Sequence, residues 1–131
     1  MAYTDRIPQS EIQDKVTAAS VAFAEKFGKY LGTDEQPNGK AHLSTSQIRK
    51  FYGEVKRQQM TGYSPTDFIL LKPKLAYAVG RDKKSQKNTK IQDFYDVIAD
   101  AIGKVNTEHS FENFVKIFEA IVAYHKLVAK D

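Results

Sequence analysis

The stretch SFENFVKIFEAIVAYHKLVA, Ser110–Ala129, decides the fold. Phe111, Phe114, Val115, Phe118, Ile121, Val122 and Val128 recur at the three- and four-residue steps of an α-helix and cover most of its circumference. Glu112, Lys116, Glu119 and Lys126 are left outside. A helix so apolar has to be wrapped by other elements, so Ser110–Ala129 is expected to be the spine of an all-α bundle.

Working back along the chain, the same period predicts four more helices. The fourth spans about Thr89–Val105, with Ile91, Phe94, Tyr95, Ile98, Ile102 and Val105 on one line and Asp93, Asp96 and Asp100 on an acidic outer face. Three carboxylates can hold a metal, but on a helix without histidine they read as a solvated surface. The third helix opens at Ser64-Pro65 with Asp67: a cap, a proline at the first helical position and an acid at the positive dipole end. Phe68, Leu71, Leu75 and Val79 form one face, while Ile69, Leu70 and Tyr77 form another, so this helix is either central or covered by a partner. Pro73 should kink or break it, and Gly80 should end it.

The second helix begins near Ser44 or Thr45, where Ser44 and Gln47 have capping-box spacing, and buries Ile48, Phe51, Tyr52 and Val55. The first runs from about Pro8 or Ser10 to Leu31 along Ile12, Val16, Ala19, Phe23, Phe27 and Tyr30. Between these two, Gly32–His42 carries Pro37 and the Asn38-Gly39 turn pair and reads as a surface connection. No alternating apolar pattern supports a sheet. The expectation is one domain over residues 1–131, a bundle of about five helices with a mobile N-terminus (about 1–8), a loop at about 32–43 and a basic loop at about 81–90.

Charge is distributed unevenly over this frame. Leu43–Lys90 contains eleven Lys and Arg against three Asp and Glu, a net +8, while residues 1–42 sum to −1 and residues 91–131 to −3. The net +4 of the chain therefore conceals a strongly basic middle, the signature of a polyanion partner. On the second helix Arg49 and Lys56 share one stripe at about 100° and 80° from Ile48, and Lys50 and Arg57 a second at about 200° and 180°. Gly53 lies between them, placed either for a phosphate or another helix to approach the backbone, or for close packing within the monomer. Residues 81–90, RDKKSQKNTK, form either a solvated tip or an extension of the basic surface beyond Lys72 and Lys74.

Other chemistries find little support. The chain has no cysteine, which excludes disulfides and thiolate chemistry. His42, His109 and His125 stand in no metal-ligand spacing, His125 reads as a hydrogen-bonded core or interface residue, and no phosphate loop, nucleophile elbow or S-x-x-K pattern occurs. No catalytic residue, metal or cofactor is called for. Residues 1–9 lack the apolar core of a secretory signal and no run approaches the roughly 18 apolar residues of a membrane span, so a soluble, cytoplasmic protein is expected.

Three segments carry a family resemblance: LSTSQIRKFY at Leu43–Tyr52, LLKPKLAYAVGRD at Leu70–Asp82 and FEAIVAYHK at Phe118–Lys126. Together, in this order, they resemble the small helical subunit of the type III-A CRISPR (Csm) effector complex. The first helix lies outside the resemblance, Pro73 stands where relatives often have an ordinary helix former, and the family does not insist on histidine at position 125. The resemblance implies a helical bundle without nuclease activity. Copies of it would stack into an inner filament beside the backbone and large subunits and line the channel for target RNA paired with the guide RNA. It points to Arg49, Lys50, Lys56, Arg57, Arg81, Lys83 and Lys84 for RNA contact, through phosphates rather than bases, because most Phe and Tyr fall on apolar faces. The alternative is a helical interaction module whose basic middle docks an acidic protein. A helix-turn-helix is disfavoured because the basic helix has no short-turn partner before it.

Overall fold

The computed structural model describes residues 3–35 and 39–130. Its helices are α1 (Gln9–Gln13), α2 (Ala18–Leu31), α3 (Thr45–Thr61), α4 (Pro65–Ile69), α5 (Leu71–Ser85), α6 (Ile91–Ile102) and α7 (Glu108–Val128), and no strand occurs among the described residues. The fold is the all-α bundle expected, with the first and third predicted helices each divided in two. Pro37 and Asn38 of the expected turn lie outside the described residues.

The first division is made by polar side chains. Thr17 and Ser20 form a capping box that starts α2, and Glu11 of α1 accepts hydrogen bonds from both hydroxyls, Thr17 at 2.6 Å. These bonds keep the Glu11 carboxyl below its usual pKa. A continuous helix through residues 14–17 would forfeit them, and the phase slip leaves Ala19 exposed rather than on the predicted apolar face.

The second division falls at Leu70, ahead of Pro73 rather than at it. Pro73 then occupies the first turn of α5, where a backbone N–H has no helical partner to lose, and the Lys74 amide makes the contact back to Leu70 O at 3.4 Å. Gly80 does not end the helix. Val79 and Asp82 hold its buried face on either side, α5 runs to Ser85, and Gln86 in the left-handed conformation (φ 61°) closes it. The basic loop thus shrinks to residues 86–90, and Arg81, Lys83 and Lys84 are helical.

α7 is the spine. α2 packs along it closely enough that a Cβ on Gly28 would lie 2.6 Å from Ile121 O and 2.9 Å from Tyr124 Cβ. Phe51, Phe94, Phe118, Phe114, Phe68 and Phe111 form one continuous ring cluster, with successive centroids 5.2–6.0 Å apart.

One end of the bundle is fastened by charge. Asp93, expected on a solvated acidic face, is 0% exposed and accepts from the Tyr3 amide (3.0 Å), the Tyr30 hydroxyl (2.7 Å) and the Lys40 ammonium (3.0 Å). Lys90, the last residue of the basic stretch expected to be solvated or part of the basic surface, is 2% exposed; its ammonium donates to Tyr30 O at 2.8 Å and Thr33 O at 2.7 Å and lies 3.8 Å from the Tyr30 ring centroid. Burial lowers its pKa, and Glu35 and Asp93 partly offset that. The N-terminal segment expected to be mobile is also tied here from Tyr3 onward: Tyr3 packs 4.8 Å from the Phe27 ring, and Ile7 is buried. Backbone bonds Ala41 N–H to Asn88 O (2.9 Å) and Lys90 N–H to Ala41 O (3.0 Å) join the two loops.

Candidate nucleic-acid interface

α3 starts as its sequence dictates. The Ser44 hydroxyl accepts from the Gln47 amide at 3.1 Å while the Gln47 side chain accepts from the Ser44 amide at 2.9 Å. Burying Ile48, Phe51, Val55 and Gln58 turns Arg49, Lys50, Gly53 and Arg57 to solvent. A Cβ on Gly53 would meet no atom within 4 Å, so the close-packing reading of this glycine falls and its backbone stands open.

On α5 the buried line Leu71, Leu75, Val79 and Asp82 sets the exposed line Lys74, Tyr77 and Arg81 at three- and four-residue steps along one side. The two helices enclose a groove of about 470 Å³ with Phe51, Leu71, Leu75 and Ile91 among its lining and Lys50, Lys74, Arg81 and Lys87 among its polar groups. Two acids also line it, and both are committed. Glu54 receives Arg57 (2.7 and 3.2 Å) and Lys74 (3.2 Å), which hold its carboxyl below the usual pKa, and Asp82 accepts from the Thr89 amide (3.1 Å) and hydroxyl (2.8 Å). Lys50, Arg81 and Lys87 have no ion pair among the described residues.

The seven predicted cations therefore divide. Lys50 and Arg81 both line the groove, and Arg49 lines a shallow depression with Thr45, Ser46 and Lys50. Lys83 and Lys84 lie exposed in the last turn of α5. Arg57 is exposed but bound to Glu54, and Lys56 is turned aside to Glu119 (2.6 Å) and Gln59 (2.7 Å), a pairing that raises its pKa. Lys74 and Lys87, counted in the basic middle but not singled out for RNA contact, also line the groove, and so does Tyr77, an aromatic 70% exposed that sequence reasoning gave no such role. The signal was the Lys74–Tyr77–Arg81 spacing, invisible once the helix was ended at Gly80.

His125 is buried and its ring nitrogen donates to Leu43 O at 2.6 Å, the core role of the two open to it. Among the described residues no group of His, Cys, Asp and Glu could hold a metal ion, and no helix is long and apolar enough to cross a membrane.

No curated protein and no solved structure matches the chain. The family model described as Csm2 Type III-A matches residues 14–131, which takes in every element named here except α1. The chain belongs to this Csm2 family, the small subunit of the type III-A CRISPR effector complex.

Proposed function

We propose that the protein is a non-catalytic RNA-contacting subunit, stacking with copies of itself and with the backbone and large subunits of the complex in the cytoplasm, in antiviral defence. Its α3–α5 face contacts the target RNA paired with the guide RNA. The observation carrying this reading is that Arg49 and Lys50 on α3, Arg81, Lys83 and Lys84 on α5, and Lys87 in the loop that follows it lie exposed with no ion pair among the described residues. Unpaired cations along one face neutralise phosphates and release counterions, which gives affinity without sequence preference. That property suits a subunit serving any guided target.

The rival, a module docking an acidic protein, draws on the exposed Ile69 and Leu70 at the junction of α4 and α5, which suit protein contact. A tagged copy expressed with its neighbouring genes distinguishes the two. The proposal expects a set of larger subunits with one short guide RNA, and loss of bound target RNA on nuclease treatment. A single acidic partner retained after nuclease, with no RNA, would establish the rival.

A further inference from the structure

We infer that the groove between α3 and α5 is a nucleotide site, in which one unpaired base of the bound RNA stacks on Tyr77 while its flanking phosphates lie on Lys50, Arg81 and Lys87. The inference rests on the RNA-contacting role proposed above and makes it more specific, because it adds base contact to a surface expected to touch only phosphates.

Four observations support it. The groove, about 470 Å³, is within the size range of small-molecule sites and has an apolar floor with polar groups on its rim. Glu54 is paired from within by Arg57 and Lys74, and Asp82 is engaged by the Thr89 amide and hydroxyl, while Lys50, Arg81 and Lys87 carry no ion pair among the described residues and are left to an incoming anion. Tyr77 is 70% exposed although it belongs to a well-formed helix, so its ring costs the fold little to present and is available to stack. Arg81 follows one helical turn later on the same side, where a guanidinium can flank the stacked base or pair with its phosphate. An extended acidic peptide would use the cations but would leave the aromatic ring and the apolar floor without a planar occupant, so RNA is the better match.

The chain has no tryptophan, so Tyr77→Trp places a single fluorescent reporter in the groove. The full-length variant is titrated with a short single-stranded RNA, with the same strand lacking its bases, and with polyglutamate; anisotropy of labelled RNA measures total binding in parallel. The inference predicts saturable quenching by the intact strand, binding without quenching by the baseless strand, and a roughly tenfold weaker affinity for Tyr77→Ala that Tyr77→Phe restores. RNA bound by anisotropy without quenching, and with Tyr77→Ala unaffected, overturns the groove site while leaving the basic face standing. No RNA binding at all overturns both. Quenching by polyglutamate equal to that by RNA assigns the groove to an acidic chain and also overturns the site. Circular dichroism of each variant confirms the fold, which an exposed side chain should not disturb.

Discussion

Two glycines show how differently one residue type can serve. Gly28 is fixed by contact: a methyl there would run into the α7 backbone, so Gly28→Ala should cost about 1–3 kcal/mol and lower the melting temperature. Gly53 has empty space around it, so Gly53→Ala should stabilise α3 by about 0.5–1 kcal/mol. Thermal unfolding of both variants checks the pair; a destabilised Gly53→Ala would mean that the surface of α3 is covered within the monomer. If phosphates approach this backbone, the same substitution should weaken RNA binding while raising stability. Both the presence of Gly53 and its oddity inside a helix were legible in the sequence. The role of Gly28 was not, because a glycine on an apolar stripe looks unremarkable until the partner helix is known.

Elements were read well where local chemistry governs them and badly where distant groups do. The Ser44–Gln47 box and the Ser64-Pro65 start are local, and both helices begin there. Gly80 and the Asp93 face depend on partners outside their own helices. Asp82 reaches Thr89 across the end of α5, and Asp93 collects donors from residues 3, 30 and 40. Burial pushes the Asp93 carboxyl up, but the bonds from Tyr3, Tyr30 and Lys40 outweigh it and hold the pKa below the usual value.

The unfolded chain therefore binds the Asp93 proton more readily than the folded one. The stabilisation is complete above the unfolded value near 3.9 and is lost as pH falls through the lower folded value. Asp93→Asn should cost about 2 kcal/mol at neutral pH in urea unfolding, with the gap to wild type narrowing below about pH 4. A gap independent of pH would refute the assignment. On the same reasoning, Lys90→Met strips the donor from two carbonyls, Tyr30 O and Thr33 O, and should destabilise by about 2–3 kcal/mol. A loss under about 0.5 kcal/mol would mean that water replaces the ammonium.

At the scale of the whole molecule, apolar periodicity made the bundle legible, since Ser110–Ala129 had to be its centre and α7 is. The uneven charge also pointed to the right region, but a count cannot say which cations are spent internally. Lys56 and Arg57 are held by Glu119 and Glu54, whereas Lys50 and Arg81, far apart in sequence, line one groove. Arg81 is helical only because α5 continues past Gly80.

The account turns on this face holding RNA through phosphates. The most direct test is the affinity of the full chain for single-stranded RNA over a range of salt concentrations, compared with Lys50→Ala/Arg81→Ala and with a control that takes equal charge from Lys26 and Lys29 on α2. Loss of two phosphate contacts should weaken binding and make the slope of log affinity against log salt shallower by about 1.4, with the control close to wild type. Equal affinity and slope for the groove variant and wild type would contradict the account.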